Sequence, residues 1–249
     1  MAETKIEWTD KTWNPVTGCT KKSEGCIHCY AEVLARRLKG MGKPKYKNAF
    51  KLTLQPDSLN EPKSWTKPHN IFVCSMGDLF HEQVPFEYID KVMTTIEVTP
   101  QHRYQILTKR AERMNEYFST HNIPSNVWLG VTVESKKNIF RIDYLRDLQA
   151  PVRFLSCEPL LEDLGMLKLN GINWIIVGGE SGMQARPMQE NWVLNMLMQA
   201  KKQNIAFFFK QWGTWGVDGV KRNKHANGKL LQGLVIQEMP TEWSQDCFL

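Results

Sequence analysis

The chain has 249 residues, 42% of them hydrophobic, which is enough for a sizeable core in one large domain or two small ones. Its formal net charge is +6, and it shows neither a secretory signal nor an apolar stretch of the ~20 residues that a bilayer span needs. These features predict a cytoplasmic protein without a membrane partner, in which clustered cysteines more often bind metal than form disulfides.

Three of the six cysteines lie close together near the start of the chain, at Cys19, Cys26 and Cys29. An apolar run at residues 31–38 follows with roughly helical spacing, which predicts that Cys29 abuts the N-terminus of a helix. The dipole of a helix end stabilises thiolates and anionic clusters. The three cysteines are therefore candidate metal ligands, and they leave one coordination position without a protein ligand.

Several kinds of group can occupy such a loop. A structural zinc ion needs four ligands, and only His28 is at hand for the fourth, although it would have to fold back sharply beside Cys29. An iron–sulfur cluster fits better, because thiolates are its usual ligands and an iron without a protein ligand can bind a substrate or cofactor. A disulfide with a spare thiol is the least favoured alternative.

The positive charge of the chain is concentrated between Arg36 and Lys67. This segment has nine Lys or Arg and only two acidic residues, so the remainder of the chain carries about −1. Aromatic residues and prolines are interleaved with the basic ones. The composition is typical of a solvated loop, and also of a loop that faces nucleic acid or a small anionic ligand.

Beyond this segment, strand-like and helix-like runs alternate, which predicts βα units and a parallel sheet. The predicted strands are residues 71–74, 104–107, 127–131, 152–155, 174–177 and 205–209. The predicted helices after the basic segment are residues 87–98, 111–118, 136–148 and 191–202. From Gly213 onward, glycine-containing turns and the run at 230–236 predict a hairpin.

Each predicted strand ends in polar or glycine-rich residues, on the side where barrels and open α/β sheets gather their ligands. Turns are polar in any protein, which accounts for Ser, Gly and Asp at these ends. It accounts less well for Glu134, Glu158, Glu180, Lys109 and Lys210. We therefore expect one shared site along this edge.

Together these motifs resemble the radical S-adenosylmethionine (SAM) superfamily, and in particular its phage-associated branch. The resemblance is carried by residues 13–19, the loop to Tyr30, and residues 75–78, 107–110, 130–133, 156–159, 178–181 and 210–213. The usual superfamily loop has three residues between its first two cysteines, whereas six separate Cys19 from Cys26 in this Cys-x6-Cys-x2-Cys pattern. A longer spacer still reaches the same cluster, because added loop residues cost little closure entropy.

The resemblance implies an α/β fold, namely a partial or near-complete (β/α) barrel of the radical SAM type over residues 1–212. A basic insertion falls at about 39–70, and a C-terminal hairpin-like appendage over residues 213–249 packs on the barrel. The implied ligands of a [4Fe–4S] cluster are Cys19, Cys26 and Cys29, with SAM on the remaining iron. The implied cofactor-binding residues are His28, Tyr30, Ser75, Gly77, Asp78, Thr132, Glu134, Gly178, Gly179, Glu180 and Ser181.

The implied activity is reductive cleavage of SAM to a 5′-deoxyadenosyl radical, with electrons from an external one-electron donor such as a flavodoxin or ferredoxin. The expected substrate is a nucleic acid or nucleotide, for base modification or lesion repair, because basic and aromatic residues can hold phosphates and stack a base. The candidate substrate-binding residues are Lys109, Arg110, Glu158, Arg186, Lys210 and Trp212.

Cys157 is the candidate catalytic residue, since a thiol at a strand end can return a hydrogen atom to a substrate radical. The competing interpretation is that Cys157 is a small core residue, as single cysteines in apolar strands usually are. An alternative for the whole protein is a non-catalytic nucleic-acid-binding protein with a structural zinc site in the cysteine loop.

Overall fold

The computed structural model describes residues 4–240 of the chain. Its strands are β1 Lys11–Trp13, β2 Val16–Thr17, β3 Thr53–Leu54, β4 Asn70–Val73, β5 Arg103–Thr108, β6 Val127–Thr132, β7 Val152–Cys157, β8 Trp174–Gly178, β9 Ala206–Gln211, β10 Leu230–Leu231 and β11 Leu234–Val235. Its α-helices are α1 Tyr30–Gly40, α2 Phe86–Glu97, α3 Ala111–Phe118, α4 Arg141–Arg146, α5 Glu190–Lys202 and α6 Lys224–Asn227. Short 3-10 helices are Glu24–Cys26, Pro44–Tyr46, Pro56–Ser58, Glu61–Ser64 and Lys136–Asn138.

Seven strands form one sheet in the order β1-β4-β5-β6-β7-β8-β9, and every neighbouring pair is parallel. Parallel neighbours need crossover connections, and helices α1 to α5 lie on these connections. The connection between β7 and β8 has no helix among the described residues. Because every neighbouring pair is parallel, all seven strands run in the same direction and their carboxyl ends lie at one edge of the sheet.

The sheet curls around the side chain of Trp8. The Trp8 ring lies 4.7 Å from the ring of Phe72 in β4 and 6.1 Å from that of Trp174 in β8. In a flat sheet these two strands would be about 19 Å apart, because neighbouring strands are spaced by roughly 4.8 Å. One ring can contact both only if the sheet bends into a trough. Strands β1 and β9 are its two edges, so the predicted partial (β/α) barrel is confirmed.

Aromatic side chains fill the interior of this barrel. Trp8, Phe72, Trp128, Phe154, Trp174 and Phe208 belong to one buried cluster. Alternate residues of each strand point away from this cluster and pack against the helices in a second, larger core. Both faces of the sheet are thereby buried, as is usual for parallel sheets. The interior is therefore packed, and space for a ligand remains only at an end.

Most of the predicted elements correspond to observed ones, but one predicted helix differs, and the short elements β1, β2, β3 and α6 are absent from the prediction. The predicted helix at 136–148 is instead a 3-10 turn, Lys136–Asn138, followed by the short helix α4, because the buried Asn138 side chain donates to Ser135 Oγ at 2.8 Å and turns the chain. Strand β1 is not among the predicted strands, because its three residues, one of them charged, are too few to show the alternation of apolar and polar residues.

The C-terminal hairpin consists of β10 and β11, which pair antiparallel. It lies against β9, where Phe209 N donates to Ile236 O at 2.7 Å. Residues 241–249 of the predicted appendage, with Cys247, lie outside the described residues. No helix in the described part of the chain has the length and apolar character to cross a membrane.

The packing of β6 against β7 yields a first prediction. A Cβ atom at Gly130 would lie 2.4 Å from ring atoms of Phe154, inside the barrel. We expect Gly130→Ala to lower the free energy of unfolding by about 1–3 kcal/mol, since overpacking a full core forces side chains out of their preferred rotamers. Urea denaturation measures this change. Gly40→Ala is the matched control, because nothing lies within 4 Å of its added Cβ, and equal losses in the two variants would contradict the prediction.

Candidate functional site

A cavity of about 1100 Å³ opens at the carboxyl edge of the sheet, between the strand ends, the cysteine loop (residues 19–29) and the basic segment. Its floor includes Trp8 and Phe72 of the aromatic cluster. Basic residues outnumber acidic ones in its lining. The predicted site residues that line it are Cys19, Cys26, His28, Cys29, Tyr30, Ser75, Gly77, Asp78, Lys109, Arg110, Thr132, Glu158, Gly179, Glu180, Ser181 and Lys210.

The three cysteines of the loop face this cavity together, as free thiols. Cys29 is the N-cap of α1, as predicted. Burial raises the pKa of Cys29, and the nearby Cys26 adds to the increase, while backbone N–H groups in the first turn of α1 oppose it. Burial also raises the pKa of Cys19 to about 12, with a contribution from the negative charge of Asp78. A metal must therefore displace protons from these thiols when it binds.

Arg110, just after β5, holds the start of the cysteine loop. Nη1 donates to Asp78 Oδ2 at 3.1 Å and to Cys19 Sγ at 3.5 Å, and Nη2 donates to the carbonyl and hydroxyl oxygens of Thr20 at 3.2 and 3.0 Å. Nε donates to Glu82 Oε2 at 2.8 Å. All three guanidinium nitrogens are thus engaged within the protein. Arg110, predicted to bind substrate, anchors the cysteine loop through these contacts.

Glu134, just after β6, holds the middle of the loop. It accepts from Ser23 Oγ, and it pairs with Lys109 Nζ at 3.4 Å and Arg141 Nη1 at 2.9 Å. Burial opposes ionisation, but Lys109, Ser23 and Arg141 outweigh it and hold the pKa of Glu134 below its usual value. A Cβ at Gly25 would lie 2.8 Å from Glu134 Oε1, so the loop approaches this carboxylate at a glycine.

Glu180, after β8, holds the end of the loop. Its carboxylate accepts from Arg186 Nε at 2.9 Å and Nη2 at 2.5 Å, and lies 3.2 Å from His28 Nδ1. Arg186 Nη1 also donates to Glu24 O at 3.1 Å. Although burial acts against it, the hydrogen bonds from Arg186 and His28 lower the pKa of Glu180. The cysteine loop is therefore tied to three strand ends by three charged clusters.

The wall formed by the ends of β7, β8 and β9 is polar. Lys210 Nζ pairs with Glu158 Oε1 at 2.9 Å. Ser156, Ser181 and Gln211 line the same side of the cavity. This wall presents these hydrogen-bond donors and acceptors to the cavity, while Glu180 at the end of β8 anchors the cysteine loop. It is the side on which a ligand can be recognised.

The glycines predicted to bind the cofactor allow close contact between different segments of the protein chain. A Cβ at Gly179 would lie 1.9 Å from Trp212 O, and one at Gly77 would lie 2.9 Å from Val16 O. Gly178 does not line the cavity, and its added Cβ would lie 2.7 Å from a Glu158 oxygen. The close approach of neighbouring segments is thus sufficient reason for glycine at these positions.

The structure does not bring Cys157 or Trp212 to the cavity. Cys157 is 0% exposed in the core between sheet and helices, while Ser156, one residue earlier, lines the cavity. Side chains alternate between the faces of a strand, so Ser156 and Cys157 must point in opposite directions. Trp212 is 2% exposed and donates to Leu230 O at 2.8 Å. At these buried positions neither Cys157 nor Trp212 lines the cavity.

The Asp78 carboxylate is also engaged in hydrogen bonds within the protein. Its carboxylate accepts from Thr108 Oγ1 at 2.7 Å, from Phe80 N at 3.0 Å and from Arg110. Glu134 and Arg186 lie outside the cavity lining, in the anchoring clusters. The functional residues absent from the predicted set are the loop contacts Thr20, Ser23, Glu82 and Arg141. No local pattern marks them, because each is defined by a partner distant in sequence.

Comparisons with known proteins gave one family and one structure. The model of a family described as "Protein of unknown function (DUF5131)" matches residues 3–240. No curated protein matches the chain. The solved structure "Spore photoproduct lyase complexed with dinucleoside spore photoproduct" is similar with a TM-score of 0.41 and 10% identity, over 75% of this chain and 59% of that chain. The chain thus spans less than two thirds of that lyase, and no functional conclusion follows from so low a score.

The anchoring role of Arg110 is testable. We expect Arg110→Gln to lower the free energy of unfolding by about 3–5 kcal/mol, because it leaves the buried Asp78 carboxylate without its cation. Amide hydrogen exchange in residues 19–29 should become faster. Lys22→Gln is the matched control, since Lys22 pairs with the same Glu82 at 3.6 Å but on the surface, where a pair contributes about 0–1 kcal/mol. Unchanged exchange in the Arg110 variant would contradict this role.

The pKa of Cys19 makes a second prediction for the metal-free protein. Because the pKa is raised to about 12, the thiol is protonated throughout the neutral range and only the thiolate fraction reacts. The alkylation rate of Cys19 should rise about tenfold per pH unit between pH 7 and 10. Mass spectrometry of the peptide containing Cys19 measures the rate. A rate that levels off below pH 9 would show that the thiol ionises normally.

Proposed function

We propose that this chain, which belongs to the DUF5131 family of proteins of unknown function, is a radical SAM enzyme that acts on a nucleic acid or nucleotide. The observation that carries the proposal is the cavity, in which three thiols from one anchored loop face a polar wall at the carboxyl edge of an open barrel. That arrangement is what the resemblance of the sequence to the radical SAM superfamily implies. It supplies metal ligands, a pocket and recognition groups in one place.

The donor set fits an iron–sulfur cluster better than a single zinc ion. Within residues 4–240, no three His, Cys, Asp or Glu side chains are arranged to hold one metal ion. Zinc needs four ligands around one point, and His28, the candidate fourth, faces Glu180 through Nδ1. In a cluster, each thiolate binds its own iron, so the sulfurs need not converge on a point. Cys19, Cys26 and Cys29 would hold such a cluster.

A [4Fe–4S] cluster held by Cys19, Cys26 and Cys29 would supply one-electron reductive cleavage of SAM, with the electron coming from the external donor, and abstraction of a hydrogen atom from the substrate. The residues of this chain position the reactants. Arg110, Glu134 and Glu180 keep the cysteine loop at the strand ends, so that its thiols stay at fixed positions relative to the cavity. The packed aromatic floor closes the cavity from below and keeps bulk water out on that side.

The remaining polar residues divide between cofactor and substrate in this proposal. Thr132, at the end of β6, and Ser181, after β8, are the proposed hydrogen-bonding partners of SAM. Glu158 and Lys210, paired at 2.9 Å, are the proposed contacts of the substrate. An external one-electron donor such as a flavodoxin or ferredoxin would approach along the cysteine loop, where Ile27 is 50% exposed.

Anaerobic reconstitution tests the proposal. We expect about four irons and four sulfides per chain, and the substitution of Cys19, Cys26 or Cys29 by Ala should each abolish cluster binding, because every thiolate holds one iron. Incubation with SAM and a strong reductant should release 5′-deoxyadenosine, measured by liquid chromatography. Cys157→Ala is the matched control and should keep its iron, because Cys157 is 0% exposed and faces the helices.

A different result would identify the alternative. One zinc per chain, no iron after reconstitution and no cleavage of SAM would contradict the proposal and favour a non-catalytic nucleic-acid-binding protein. Elemental mass spectrometry measures the zinc content of the purified protein and of its Cys26→Ala variant. Comparison of the two distinguishes bound from adventitious zinc.

A further inference from the structure

We propose that the mouth of the cavity binds a single strand of nucleic acid, with Tyr30 as a stacking platform for a base and a ring of lysines on the phosphates. The inference rests on the proposed function for the reaction, and narrows its substrate from a nucleotide or nucleic acid to a strand of several nucleotides. It depends on three features of the cavity, which are the distribution of its charge, the exposure of one aromatic ring and the polar wall.

The positive charge of the cavity lies at its mouth. Deep inside, Lys210 pairs with Glu158, and Lys109 shares the Glu134 carboxylate with Arg141, so each of these cations has an acidic partner. Five other lysines that line the cavity are exposed and form no ion pair within residues 4–240. Nζ of Lys21 donates to Ile27 O at 3.4 Å, and the other four are Lys5, Lys39, Lys51 and Lys224. A ligand that carries negative charge is therefore attracted to the opening, and its charges stay at the rim while its neutral part enters.

The four lysines come from separate segments around the opening. Lys5 precedes β1, Lys39 is in α1, Lys51 precedes β3 and Lys224 begins α6. A mononucleotide has its phosphates in one compact group, which can meet only part of such a ring. A strand has one phosphate per nucleotide at regular spacing, so that successive phosphates reach different lysines. The distribution of charge thus favours a strand.

Tyr30 presents an aromatic face at the same opening. Its hydroxyl donates to Ser75 O at 2.7 Å, while the residue is 58% exposed and lines the cavity. A ring held by its hydroxyl loses little conformational freedom when a base stacks on it. Base stacking on an aromatic side chain contributes about 1–3 kcal/mol per base and tolerates any base. An exposed, tethered tyrosine beside unpaired lysines is the combination that single-strand binding uses.

The polar wall favours a nucleobase over an acidic peptide inside the cavity. Ser156, Ser181 and Gln211 offer neutral donors and acceptors, which match the edge of an unpaired base. The paired Glu158 and Lys210 on the same wall leave no net positive charge there to bind a carboxylate. A base within a duplex cannot reach this depth without being flipped out. A single strand binds without the free energy needed to unpair that base.

Fluorescence anisotropy with a labelled 12-nucleotide single strand, as DNA and as RNA, tests this inference on the metal-free full-length chain. If four phosphates are contacted, the logarithm of the binding constant should fall with the logarithm of salt concentration with a slope of about −3. The double variant Lys39→Gln/Lys51→Gln should bind about tenfold more weakly and lower the steepness of that slope by about 1.4. Tyr30→Ala should weaken binding by about tenfold, and Tyr30→Phe by much less.

The charge-matched control is Lys91→Gln/Lys202→Gln, which removes two exposed lysines of α2 and α5 outside the cavity lining. The inference is overturned if this control loses as much affinity as the cavity variant. It is also overturned if a mononucleotide competes as well as the strand, or if polyglutamate does, since these results assign the site to a small anion or to an acidic protein. Circular dichroism confirms that each variant is folded.

The two proposals fail separately. Release of 5′-deoxyadenosine by reconstituted enzyme without salt-dependent binding of the strand would overturn the inference about the cavity mouth alone. Binding of the strand with the expected slope, but no iron and no cleavage of SAM, would overturn the proposed function alone.

Discussion

Hydrogen bonds from the loop to charged side chains at the strand ends, rather than packing of the loop itself, hold the three cysteines in place. The loop is short and polar, and the apolar cluster beneath it is small, built on Ala31, Ala35 and Met76. Arg110, Glu134 and Glu180 instead connect it to the ends of β5, β6 and β8. Burying such charges is costly, and losing one partner of a buried pair costs more than the pair contributes. Each anchor therefore permits few alternative positions of the loop.

The rest of the site follows from the parallel sheet. Because the strands run in the same direction and in chain order, their polar carboxyl ends meet at one edge. Aromatic rings close the barrel below that edge, with Trp8 and Phe72 as part of the floor. One side of the resulting cavity is used to hold the cysteines, and the side formed by β7 to β9 is left for recognition. Anchoring and recognition thus meet at β8, where Glu180 holds the loop and Ser181 lines the recognition side.

Two predicted site residues, Cys157 and Trp212, lie outside the cavity lining for simple physical reasons. Successive side chains of a strand point to opposite faces of the sheet. Ser156 faces the cavity, so Cys157 faces away from it. Trp212 follows β9, but the hairpin packs over it and its indole N–H finds a partner in Leu230 O. For Arg110 and Asp78, the residue types predicted contacts with ligands, and in the structure the two side chains form an ion pair with each other.

The amino-acid sequence by itself determined the βα alternation, the polar strand ends and the cysteines at the start of the first long helix, because these depend on periodicity and on neighbouring residues. Most of the site residues predicted from the sequence also line the cavity, since parallel strands bring their carboxyl ends together. Only the tertiary structure decided that Ser23 meets Glu134, that Thr20 meets Arg110 and that β1 joins the sheet. Those contacts join segments far apart in the chain, and a charged side chain carries no local sign of which opposite charge it will pair with.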